Sequence, residues 1–307
     1  MPATVTHFLV GEKTLEKLGK NLDKKEREAF DLGCQGGDIF FFYGVLGGNK
    51  YPLLKKAGTV LHKERINAPV HYMNEFLSLI NEEDKKIVKA YIMGYLCHFS
   101  TDTTAHPYIY ALSDILEKEK NIESDSFYYH TRIESNLDVI MLLKLKDKTI
   151  IEIPPYSLFP KNSEVTEILS KMYSYAFEKA GYIKAPEEEY KKAFSCFRNG
   201  MHLLYSKGNL KRDFIYKASK LIKITTGFSQ MIHPVKCDNF CDYINISARE
   251  ITYNNGEKSK DNFYEIFDKA VDKSSECIKK FLEGEKIPEI MEGKSFDTGL
   301  VVDYWRI

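Results

Sequence analysis

Between Tyr95 and Asp138 the chain sets imidazoles and carboxylates at a recurring step of four. His98, Asp102 and His106 follow at that interval, and His130, Glu134 and Asp138 repeat it further on. Four residues are about one helical turn, so each set stacks along one helix face. Neutral imidazole nitrogen and carboxylate oxygen are the donors that a borderline ion such as zinc takes. One such face fits a salt-bridged surface; two of them point to metal. Six of the eight histidines (His7, His62, His71, His98, His106 and His130) precede residue 131. Asp38 stands between Gly36-Gly37 and the aromatic run Ile39-Phe-Phe-Phe-Tyr43. That is an odd place for a solvated acid, although alone it fits a turn or N-cap aspartate. The aromatic run itself fits core packing better than a pocket wall.

The elements that must carry these residues read as helices. Thr6 is placed to cap a first helix bearing His7. Asp23 and Glu26 form a capping-box pattern for a second, ended by Gly36-Gly37. Residues 44–60 read as loop, and Asn67-Ala-Pro69 opens a helix through Ile80. Asn81 to Asp84 caps the long helix that delivers His98 and Asp102, with a broad apolar stripe from Ile87 to Leu96. Pro107 disfavours helical geometry at His106, so the helix is expected to stop or kink there, with a separate one over 108–120. Ser124 or Asp125 starts the helix that bears His130 and Glu134. Helical patterns return at 164–180, 187–206, 211–224 and 261–283, and 225–262 reads as irregular. Alternating strand patterns are almost absent. The expected fold is all-α, a single domain over 1–307 with the metal ligands in 1–138.

The 307 residues, 43% hydrophobic, suffice for a large core. Lys plus Arg equals Asp plus Glu at 44 each, which lends no support to an extended nucleic-acid surface. No segment reaches the ~20 apolar residues of a spanning helix. No secretory h-region is visible, and the six scattered cysteines read as reduced thiols, so the expected location is the cytoplasm. Cys237 and Cys241 flank Asp238 at a metal-compatible spacing, but no second pair completes a site.

The order Thr6-His7, Gly36-Gly37-Asp38, Leu61-His62, His98-x3-Asp102, His106, His130-x3-Glu134 resembles the zinc-dependent phospholipase C family. That family includes bacterial phosphatidylcholine-hydrolysing phospholipase C, and the fungal single-strand nucleases share its helical fold and trinuclear zinc site. The resemblance implies a hydrolase using two or three zinc ions. Asp38, His62, His98 and Asp102 would hold one ion, and His106, His130 and Glu134 a second. His7, the chain's amino group and the other oxygen of Asp102 would hold a third. Asp102-x3-His106 is shorter by two than in the secreted enzyme and the stretch from His106 to His130 is longer, which leaves Asp138 or water as a substitute ligand in the second site. His71 competes with His62, and His62 is preferred because it follows Leu61. By the same analogy Asp38 is the expected base or orienter of the attacking water. The substrate would be a phospholipid or small phosphoester. Alternatives are a nuclease or phosphomonoesterase on the same ions, or a zinc-binding protein without turnover. Adjacent His-Asp and Glu-x-x-His, the marks of two rival all-α metal classes, are absent.

Overall fold

The computed structural model describes residues 4–45, 50–120, 126–159, 162–237 and 239–305. They are overwhelmingly helical: α1 Thr4–Leu18, α2 Lys24–Gly33, α3 Pro52–Lys63, α4 Asn67–Phe76, α5 Glu82–Lys120, α6 Ser126–Lys146, α7 Ser163–Lys179, α8 Glu187–Leu204, α9 Leu210–Leu221, α10 Gly227–Gln230, α11 Phe240–Ile244, α12 Phe263–Leu282 and α13 Ile287–Met291. A two-stranded antiparallel ribbon, β1 Ile251–Thr252 with β2 Lys258–Ser259, breaks the stretch expected to be irregular. The all-α expectation therefore holds.

α5 is the axis of the molecule. Its 39 residues extend about 60 Å. Its first half, Ile87 to Phe99, packs into a core with α2, α4, α7 and α8. Its second half, Ala105 to Leu116, packs into another core with α1, α6 and α12. His98, Asp102 and His106 thus fall where the two cores meet. The close packing of α2 on α5 rests on glycine. A Cβ on Gly94 would lie 2.1 Å from the Phe30 carbonyl oxygen, and one on Gly33 2.2 Å from that of Tyr91.

Several local signals behave as read. The Asp23–Glu26 capping box closes both ways, and Asn81 Oδ1 accepts from the Asp84 N–H at 3.0 Å. Others are overturned. Pro107 does not stop the helix: it lies inside α5, which takes in the helix expected at 108–120. The missing N–H costs one backbone bond, and the packing of α5 on both cores outweighs it. α3 occupies much of the expected 44–60 loop, starting with Pro52 in its first turn. Thr6 lies inside α1 rather than capping it. α2 ends at Gly33, and Gly36–Phe42 forms a 3-10 turn instead of a helix stop. The expected α6 start at Ser124 or Asp125 lies outside the described residues, as does Asp238 between Cys237 and Cys241. No disulfide joins any of the six cysteines among the described residues. Among the described residues no helix is long and apolar enough to cross a membrane.

Candidate metal centre

Four helices and the 3-10 turn converge on one buried polar layer. α1 brings His7, the turn brings Asp38, α3 brings His62, α5 brings His98, Asp102 and His106, and α6 brings His130 and Glu134. All are buried except His130, which is partly so. Their ligand atoms form three groups: His7, His98 and Asp102; Asp38, His62 and His98; His106, His130 and Glu134. Within each group the atoms lie within 4.8 Å of one another.

Asp102 sits at the centre. Its Oδ1 is 3.1 Å from His7 Nε2 and 3.9 Å from His106 Nε2. Its Oδ2 is 3.4 Å from both His62 Nε2 and His98 Nε2. Asp38 Oδ1 is 3.3 Å from His62 Nε2, and Glu134 Oε1 lies 3.4 Å from His106 Nε2 and 3.1 Å from His130 Nε2. The step of four thus does what it promised on α5 and α6, but their stripes face each other only because α6 packs against α5 in the second core. Gly36 makes room for this: its φ is +49°, and a Cβ there would lie 2.0 Å from the His98 ring.

The other ring nitrogens fix orientation. His62 Nδ1 faces the Gly58 carbonyl at 2.6 Å, and His106 Nδ1 faces the Phe296 carbonyl at 2.9 Å. An Nδ1–H donated to a carbonyl leaves Nε2 for the cluster, the usual second partner of a metal-binding imidazole. Electrostatics agree with the geometry. Burial opposes ionisation of Asp102, yet His106, His98 and His7 hold its carboxyl well below the usual range. Glu134 is likewise held down against burial, by His130 and His106. Burial drives the His98 imidazole down to about 3. Burial also works against protonation of His62 and His106, but Asp102 and Asp38 raise the first to about 10, and Asp102 and Glu134 raise the second to about 9. Three buried carboxylates and five imidazoles aimed at common points are the donor set of borderline dications. The residues fit zinc.

A model of the family described as zinc dependent phospholipase C matches residues 6–183. That is more than half of the chain. The chain belongs to the zinc-dependent phospholipase C family. No curated protein and no solved structure matches it. Its family is one of zinc-dependent hydrolases, and its His and acidic groups could hold metal ions.

Two sequence alternatives for this zinc-dependent phospholipase C relative fall away. His71 lies outside the cluster, 5.2 Å from the Trp305 ring and 4.0 Å from Glu75. Asp138 does not fill the second group. Its carboxylate accepts from the Val5 and Thr6 N–H groups at 3.1 and 2.7 Å, from the Thr6 hydroxyl at 2.6 Å, and pairs with His233 at 2.8 Å. It caps α1 from another helix, which is why Thr6 need not. The chain's amino group, expected at the third group, lies outside the described residues.

Sequence reading missed the tail after α13. Besides the Phe296 carbonyl, the Phe296 ring packs on His62 and His98, at 4.9 and 5.4 Å between centroids. Asp297 lies 3.9 Å from His106 Nδ1 and pairs with Lys63 at 2.8 Å. A Phe-Asp pair in an irregular tail carries no signal that could have announced this.

Above the cluster opens a cavity of about 690 Å³, bounded by Asp38, His62, His106 and His130 on the polar side and by Phe41, Phe42, Val45, Phe127, Leu203 and Phe228 on the apolar side. The aromatic run 40–43 is therefore split. Phe40 and Tyr43 are wholly buried, whereas Phe41 and Phe42 reach the cavity.

Proposed function

We propose that the protein is a phospholipase C-like phosphodiesterase that splits phospholipids on the glycerol side of the phosphate. The observation that carries this reading is the pairing of a His/carboxylate cluster with an apolar-walled cavity directly above it. The proposed ligands are His7, Asp38, His62, His98, Asp102, His106, His130 and Glu134, for two or three zinc ions. Zinc there supplies Lewis-acid charge, which activates water at neutral pH and offsets charge on the phosphoryl oxygens.

The chain's own residues do the rest. Asp38 borders the cavity and, although burial opposes it, is held ionised by His62 and His98. It is placed to orient the attacking water and accept its proton. The new P–O bond forms as the bond to the diacylglycerol oxygen breaks, and that oxygen leaves with a proton from solvent. The headgroup departs as a phosphomonoester. Phe41, Tyr110 and Phe127 offer aromatic surface, and Asp114 adds a negative charge at the rim, which together suit a cationic headgroup. Lys63 does not oppose this, since Asp297 pairs it.

The surface beside the cavity supports a lipid over a nucleic acid. Leu203 and Phe228 at its edge are half exposed. Nearby, α9 is turned inside out: Arg212 and Ser219 are its buried residues, while Leu210, Phe214 and Leu221 are 86%, 72% and 83% exposed. Exposed lysines (Lys207, Lys217, Lys220, Lys223) flank them. An apolar face bordered by cations suits the headgroup region of a bilayer.

The test is a zinc-supplied assay on phosphatidylcholine, short oligonucleotides and p-nitrophenyl phosphate esters. Release of diacylglycerol from phosphatidylcholine is expected. Turnover of oligonucleotides or monoesters alone would move the assignment to a nuclease or phosphomonoesterase, and zinc binding without any turnover to a structural protein.

A further inference from the structure

A second cavity, of about 300 Å³ and walled mainly by polar groups, lies on the other face of α6. Arg132 and Asn136 stand two residues on from His130 and Glu134, which is about 200° around a helix. One face of α6 therefore serves the metal cluster and the opposite face serves this cavity. α9 closes it with Arg212, and the segment after α10 adds Lys236 at the rim.

Among the described residues that line it, positive charge is in excess. Arg212 is only 9% exposed, and its guanidinium donates to the neutral Gln230 Oε1. Arg132 donates to the Tyr243 and Tyr128 hydroxyls at 2.9 and 2.7 Å. Among the described residues, the arginines in ion pairs with carboxylates are Arg27 and Arg249, not these two. Asp213, the acid on the cavity wall, is exposed and makes no such pair. Burying cations without a counter-charge is costly, and two that share one cavity add mutual repulsion. Burial, then Arg132, pushes the Arg212 guanidinium down to about 10.

We propose that the Arg132–Arg212 cavity is a binding site for a phosphate monoester dianion. Guanidinium forks match phosphate oxygens bidentately, and Lys236 supplies a third cation against Asp213, the one acid among the described lining residues. The volume exceeds that of a bare phosphate and leaves room for its organic substituent. The site shares no residue with the metal cluster and stands whether or not the protein hydrolyses phospholipids.

Calorimetric titration of the zinc-loaded full chain with inorganic phosphate and with glycerol 2-phosphate tests the site. Binding is expected, weaker by about tenfold or more in Arg212→Gln. Lys236→Gln, an exposed rim change that leaves the fold untouched, should weaken it severalfold, with zinc content unchanged in both variants. Absence of binding overturns the proposal, as does binding of wild-type strength in both variants, which would place the anion on the metal ions. A flotation assay then separates the sources of phosphate. Capture on phosphatidylcholine vesicles that needs added phosphatidic acid and is lost in Arg212→Gln identifies a lipid headgroup. Phosphate binding without Arg212-dependent capture identifies a soluble monoester.

Discussion

Asp102 and Asp138 show how two buried aspartates of similar sequence setting serve different ends. Asp102 meets four imidazoles with its two oxygens, whereas Asp138 takes hydrogen bonds from the start of α1 and from His233. Asp102→Asn removes the charge that offsets dications, so it should release at least one zinc and abolish any hydrolysis. Asp138→Asn should keep the zinc and lower stability by about 2 kcal/mol, because an amide leaves one buried donor without its acceptor. Zinc analysis and thermal melts of the two variants check this, and equal zinc contents would remove Asp102 from the centre of the cluster. The protonation pattern gives a second test. Without metal, His62 and His106 keep their protons up to about 10 and 9, while Asp102 and Glu134 stay ionised well into acid. Zinc must displace the imidazole protons, so its affinity should rise with pH below about 9 and fall as pH drops, by roughly ten- to hundredfold per unit. Chelator competition at several pH values measures this slope; a flat profile would contradict it.

At the scale of elements, α5 and α9 each depart from the simplest reading of their sequence. α5 continues through Pro107, and because it does, His98, Asp102 and His106 stay on one unbroken stripe. α9 repeats the usual amphipathic period but presents its apolar side to solvent. If that face meets a bilayer, each large apolar side chain contributes up to about 2 kcal/mol of transfer free energy. Phe214→Ser with Leu221→Ser should then lower hydrolysis of phosphatidylcholine vesicles by about tenfold or more and leave a short-chain, monomeric ester unaffected. Equal losses on both substrates would show that α9 acts through the fold instead of the interface.

Across the whole molecule the metal layer depends on chain that is far away in sequence. In the tail the Phe296 carbonyl accepts from His106 Nδ1, 190 residues distant, and the Ser295 hydroxyl and Phe296 N–H both donate to the His62 carbonyl, at 3.2 and 3.0 Å. The tail lies beyond the family match, which ends at residue 183. A chain truncated after Glu292 should lose zinc as well as stability. Phe296→Ala keeps the carbonyl but empties a wholly buried position, so it should cost about 3–5 kcal/mol while retaining most of the zinc. Elemental analysis beside denaturant melts distinguishes the two effects, and full zinc in the truncated chain would show that the tail plays no part in the site.

What the sequence determined by itself is what repeats locally. Helical period and capping signals made the all-α class legible, and a step of four is enough to align His98 with Asp102 or His130 with Glu134, since one turn of helix brings them together. Residue chemistry then restricted the guest to a metal such as zinc. Tertiary structure decided everything that joins distant segments: that His62 enters the layer while His71 packs against Trp305, that Asp138 caps α1 instead of reaching the cluster, and that Pro107 stays helical. It also decided that Phe296 and Asp297 close the site from the tail. Local patterns encode which face a helix buries, but the partner of that face is chosen by packing over the whole chain. A residue that acts through such a contact carries no local mark of it.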